Sequence, residues 1–180
     1  MRIIATLVAV TATLVVGAAA CGGETSAEEE WADSVCTDVG AWQDQLQQAE
    51  DDIRTALESP GAETVSAIET AVRQAIDATR TLSDDVENLE APDTDSGAQA
   101  QQQLNALATQ LESTAAQAQQ ILDRVAEDPV QALEDLAAFA PELQSAVTAA
   151  SGTLEAIQAS GNDLQQGFED AESCDRFRSD

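Results

Sequence analysis

The chain has no lysine, no histidine and no tyrosine, and its one methionine is Met1. Each absence excludes a kind of chemistry. General acid–base catalysis would fall to Asp and Glu alone. Haem, copper and di-iron sites lose their usual nitrogen and thioether ligands, and the Glu-x-x-His signature of ferritin-like sites is missing. The aromatic residues reduce to Trp31, Trp42, Phe139, Phe168 and Phe177. The only bases are seven arginines, one of them Arg2. Period-2 alternation is absent and β-branched residues are sparse, so sheets are not predicted.

Acids are abundant instead. All 34 Asp and Glu residues follow Cys21, and six arginines against them leave 28 net negative charges on that portion. A surface of this sign repels phosphate backbones and anionic lipid headgroups, which argues against nucleic acid as a partner. It favours solubility, and it attracts divalent cations or basic proteins. The adjacent pairs Asp51–Asp52 and Asp84–Asp85 do not read as a catalytic dyad, because neighbours on a helix point about 100° apart. Neither an enzyme nor a cofactor is predicted. Asp93-Thr94-Asp95-Ser96-Gly97 alternates acids through a turn. An EF-hand loop needs Gly at its sixth position and Glu at its twelfth. Gly97 is fifth and Leu104 twelfth, so the segment reads as a helix-capping connector, with weak calcium binding as the alternative.

What remains is helical patterning built from Ala, Gln, Glu and Leu. Ser26 and Glu29 form a capping box. The helix behind it places Val35, Val39, Trp42, Leu46, Ala49, Ile53 and Ala56 at alternating spacings of four and three, the seam of a bundle helix. Ser59-Pro60-Gly61 ends it and can cap the next helix. A second helix over about 62–89 carries Val65, Ile68, Val72, Ala75, Thr79, Leu82, Val86 and Leu89 on its seam. Residues 90–97 form a connector of turn residues. Ser96 and Gln99 give a further capping box for a third helix with Leu104, Leu107, Leu111, Thr114, Ala118, Ile121 and Val125. Asp128 and Pro129 then stop that helix and cap a new one.

The last segment keeps the same spacing from Leu133 to Ala171, but an interior proline costs about 3 kcal/mol. The pattern therefore predicts a short helix at about 130–139, a break at Pro141, and a last long helix to Glu172. Ser160-Gly161-Asn162 is a weaker second kink. The predicted fold class is all-α: an antiparallel up-down-up-down four-helix bundle with a short extra helix before the last long helix. Many seam positions are Ala, Thr or Gly, so the core should be slim. Trp31 is predicted half exposed, and Phe139 off the seam, filling one end.

Three cysteines need two explanations. An up-down-up-down bundle starts its first helix at the end where its last helix finishes. Cys36 and Cys174 should therefore meet there and form a disulfide, which belongs to an oxidising compartment. Two cysteines without histidine do not complete a usual zinc shell, so no metal site is predicted.

Cys21 has a different setting. Arg2 is followed by an apolar run, Ile3 to Ala20, that ends in Ala18-Ala19-Ala20-Cys21-Gly22-Gly23. This resembles the signal of bacterial lipoproteins, and the rest of the chain resembles small helical lipoproteins in composition. The resemblance implies removal of residues 1–20 as a signal peptide and lipidation at Cys21. Residues 21–30 would be anchor and linker, 31–175 the helical bundle domain, and 176–180 a tail. Ordinary cleavage after Ala20, or an uncleaved helical anchor, are the alternatives; all three export the bundle. The functional expectation is an extracytoplasmic protein held on the cell membrane by its lipid, with a non-enzymatic binding or structural role. An envelope protein or divalent cations are its candidate partners. A module for a small apolar ligand between Ala-rich helices is the other reading, and it requires an apolar pocket.

Overall fold

The computed structural model describes residues 25–58, 63–125 and 127–178, and at 129, 130 and 133 the backbone alone. Cys21 with its preceding signal, and the Ser59-Pro60-Gly61 turn, lie outside the described residues. The described chain is all-helical. Its elements are α1 (Ala27–Glu58), α2 (Thr64–Asn88), α3 (Asp95–Arg124), α4 (Pro129–Gln158), α5 (Asn162–Asp170) and a 3-10 helix, Glu172–Phe177.

The four long helices form the bundle that the seams predict. α1 packs on α2, α2 on α3, and α3 on α4, while α5 and the 3-10 helix lie against α1. Residues far apart in sequence meet in antiparallel register, as in the bonds from Trp42 to Thr79 and from Ser83 to Ala108. Two apolar clusters share the length of the bundle. One joins Trp31, Val35, Val39 and Trp42 of α1 to Leu82, Leu104, Leu154, Leu164 and Phe168. The other holds Ile68, Val72, Ile76, Ile121, Leu122 and Phe139 at the opposite end. Alanines such as Ala32, Ala100, Ala108 and Ala150 are fully buried in the first cluster, so the core is indeed slim.

Its buried hydroxyls and the Trp42 indole are bonded, whereas Trp31 Nε1 and Gln103 Oε1 are buried without a hydrogen-bond partner among the described residues. Trp42 Nε1 donates to Thr79 Oγ1 at 3.1 Å, Thr79 in turn donates to the Ala75 carbonyl at 2.8 Å, and Ser83 donates to the Ala108 carbonyl at 3.0 Å. These bonds fix helix rotation inside a core with few large side chains to do so. Trp31 is buried, not half exposed, and packs edge-on to Phe168 with ring centroids 5.9 Å apart.

Capping follows the predicted chemistry at two of four starts; α2 begins at Thr64 behind Glu63, which makes no side-chain cap bond, and not behind Ser59. Glu29 N donates to Ser26 Oγ at 3.1 Å, and Gln131 N to Asp128 Oδ1 at 3.1 Å, with Pro129 in the first turn. At α3 the cap is Thr94 rather than Ser96: Gly97 N donates to Thr94 Oγ1 at 3.0 Å. The helix therefore starts earlier than the Ser96–Gln99 pattern suggests.

The fourth helix differs from expectation in where it breaks. It runs unbroken from Pro129 to Gln158 with Pro141 inside it, and the chain turns at 159–161 instead. The short helix, α5, thus follows the last long helix and does not precede it. Pro141 is tolerated because it is exposed, as is Ala137, whose carbonyl loses its helix partner. Water can satisfy that carbonyl. The 30 residues of α4 then match the 32, 25 and 30 of α1 to α3.

Candidate functional site

The chemistry-bearing residues gather at one end of the bundle, on a single face of α1. Asp33, Thr37, Gly40 and Asp44 recur there at alternating spacings of four and three, beside the apolar seam. Cys36 sits on the third turn of the same helix. The 3-10 helix lies along this stripe and brings Cys174 to Cys36, with α-carbons 5.1 Å apart, and the two are joined in a disulfide. Topology thus brings together two cysteines 138 positions apart, as the bundle order predicts. Both are fully buried.

Polar contacts continue the seal on either side. Ser173 Oγ donates to the Asp33 carbonyl at 2.9 Å, and Ser173 N to Asp33 Oδ1 at 3.4 Å. Arg176 donates through both terminal nitrogens to Asp44, at 2.6 and 3.1 Å. Its guanidinium also lies 5.7 Å from the Phe177 ring centre, within cation–π range. Gly40 leaves the room for this. A β-carbon there would meet Arg176 Nη1 at 2.8 Å. Arg178 closes the end of α5 by donating to the carbonyls of Phe168, Glu169 and Ala171. The bundle therefore extends slightly past the predicted 31–175, from the start of α1 at Ala27 to the Arg178 contacts.

Electrostatics split the stripe in two. The Arg176 guanidinium holds the Asp44 carboxyl below the usual aspartate range, and Asp44 raises Arg176 in return. A lowered carboxylate stabilises the fold above its unfolded pKa and ceases to do so as pH falls through its folded pKa. Asp38, nearly two turns away along α1, is pushed the other way, first by partial burial and then by the neighbouring charge of Asp85. Asp38 and Asp85 line an open groove of about 450 Å³ between α1 and the end of α2, together with Asp33, Ser34, Thr37, Asn88 and Leu89. No base lines it. A second open groove, about 490 Å³, runs between α1 and the 3-10 helix past Gly40, Asp44, Ser173 and Arg176.

Neither groove is an apolar pocket on the Ala-rich seam. Asp51, Asp52 and Asp84 are exposed on outer faces. In the Asp93–Gly97 segment, Thr94 caps α3 and Asp95 opens its first turn. Among the described residues, no group of three or more acidic or cysteine side chains is arranged to hold a metal ion. Among them, too, no helix is long and apolar enough to cross a membrane. The arrangement can hold a tail, present negative charge and hold a disulfide.

Sequence reasoning found the two cysteines and missed Asp33, Gly40, Asp44, Ser173 and Arg176. One signal was available. A glycine inside a long helix costs about 1 kcal/mol against alanine and asks for a packing reason. No protein family, curated protein or solved structure matches the chain.

Proposed function

We propose that the protein is an exported, lipid-anchored bundle that works by binding or by structure at the cell envelope, without catalysis. The observation that carries this reading is the disulfide between Cys36 and Cys174. Such bonds form and persist in oxidising compartments outside the cytoplasm. The bond closes the end of the bundle at which α1 begins, a few residues after Cys21. Lipid on Cys21 and a cross-link just beyond it place the most firmly held end nearest the membrane.

The 28 net negative charges keep the bundle off anionic headgroups. Partners of matching chemistry are basic envelope proteins or divalent counter-ions gathered diffusely over the surface.

The test is fractionation of cells expressing the chain, with intact-mass analysis of the product. The expected product is in the membrane fraction, starts at Cys21, and carries two or three acyl chains. Cys21→Ser should release it or leave it unprocessed. A product starting at Cys21 without acyl chains, or one retaining residues 1–20 in wild type, overturns the anchor. Recovery of the chain in the cytoplasm with Cys36 and Cys174 reduced overturns export itself.

A further inference from the structure

The apolar pattern and the chain path disagree at one place. Leu154, Ile157, Gly161, Leu164, Phe168 and Ala171 keep the bundle spacing without interruption, as though α4 and α5 were one straight helix. The chain instead turns at 159–161 and folds α5 back. Leu164, Phe168 and Ala171 are buried against α1, and Cys174 reaches Cys36. α5 and the 3-10 helix touch chiefly α1, with lesser contact to α4 and α3. They form a strap seated in a groove of a helix remote in sequence, on a three-residue link.

The link is built to stay bent but not locked. Gly161 caps α5 in extended conformation without any side-chain hydrogen bond. Its lack of a β-carbon matters, since one would meet Ser96 Cβ at 2.8 Å. Ser, Gly and Asn are all weak helix formers, which disfavours the straight form. Straightened, the same residues continue α4 with its seam in phase and carry the strap away from its own α1.

We propose that residues 159–162 are an exchange hinge and that a second copy of this chain is the alternative occupant of the α1 groove. Two chains trade straps. Each α1 receives α5 and the 3-10 helix of the other, and Cys36 of each chain pairs with Cys174 of the partner subunit. Every contact that the strap makes within one chain is then remade between two, so the exchange needs no new surface. The redox balance is unchanged. Each bridge forms from two thiols, whose two electrons and two protons convert one oxidised glutathione to two reduced ones. Swapping alters only which chain supplies the second sulfur. Anchoring many copies on one surface would raise their local concentration and favour the exchange.

The test follows the bridge itself. Equal amounts of isotopically light and heavy full-length chain are reduced, unfolded together, and refolded with oxidised and reduced glutathione at several protein concentrations. Cleavage at glutamates separates Cys36 from Cys21, and mass spectrometry reads the Cys36–Cys174 peptide. The expected result is a mixed-isotope bridge in a discrete helical dimer, rising with protein concentration. Gly161→Ala favours the straight helix and crowds Ser96, and should raise the mixed fraction about fivefold. Asn162→Pro suits the first turn of α5 and strongly disfavours a continuous helix, so it should cut the mixed bridge about a hundredfold and keep the unmixed one. A wild-type bridge that stays unmixed at every concentration overturns the proposal, whether or not Gly161→Ala folds. So does a mixed bridge found only in aggregates, or one that Asn162→Pro leaves unchanged.

Discussion

Replacing both bridge cysteines, Cys36→Ala with Cys174→Ala, removes the cross-link without leaving a polar group in a site where both side chains are fully buried. The bond spans 138 positions. The loop-entropy relation assigns roughly 5 kcal/mol to a closure of that length at 25 °C. This is an upper value, because the open chain is not a random coil. For a domain of this size each kcal/mol shifts Tm by about 2–4 °C, so the variant should melt roughly 10–20 °C lower. The other contacts of the strap cannot make up the difference. The Arg176–Asp44 pair has side chains 40% and 60% exposed, so solvent screens it. The assay is thermal unfolding followed by far-ultraviolet circular dichroism at pH 7, wild type against double variant. Reduction of the wild type is a poorer experiment, since buried sulfurs resist the reagent. Each single alanine variant should lose as much as the double, because either one removes the same bond. A double variant melting within about 2 °C of wild type would refute the claim that this bond sets the stability of a slim core.

Asp38→Asn should stabilise the protein at pH 7. The folded-state pKa of Asp38 lies above its ordinary value of 3.8, so its ionisation costs the folded state as pH rises through it. The gain, under about 1 kcal/mol or up to about 3 °C in Tm, should vanish below pH 3.8, where the wild-type carboxyl is protonated in the unfolded chain as well. An equal gain at low pH would mean that packing, not charge, is responsible. Added salt should raise Tm by screening 28 net negative charges, and millimolar calcium or magnesium should raise it further. A melting curve indifferent to both would show that the acids are already spaced widely enough.

Helix number, the antiparallel order and the meeting of Cys36 with Cys174 were all legible in the sequence. Seam spacing and connector chemistry dictate the first two, and the third follows from them. Side-chain partners across the stripe on α1 were not legible. Asp44 has no local mark that distinguishes it from the many other exposed acids, and Arg176 selects it only because the 3-10 helix sets the guanidinium over Gly40. The same holds for Trp31. Its position near the start of α1 reads as half exposed until α5 folds back and lays Phe168 against it. Contacts made by a strap are long-range, and periodicity carries no information about a strap that leaves its own helix axis.

The position of the break shows which force decides. An interior proline costs about 3 kcal/mol, while Ser160, Gly161 and Asn162 together cost about 2 kcal/mol against alanine. Local preference alone puts the break at Pro141. Yet breaking there gains nothing for the core. Ala132 and Phe139 before the proline and Ala146 and Ala150 after it are buried along one continuous helix, while Pro141 itself faces water. At Gly161 the turn does add burial. It moves Leu164 and Phe168 onto α1, worth about 1.5–3 kcal/mol each, and it brings Cys174 to its partner for up to roughly 5 kcal/mol more. The proline is therefore kept inside the helix at a local cost, and the cheaper kink is used because tertiary contacts reward it. The unbroken spacing across Gly161 is then the pattern of a helix that would run straight if its end had no α1 to fold onto.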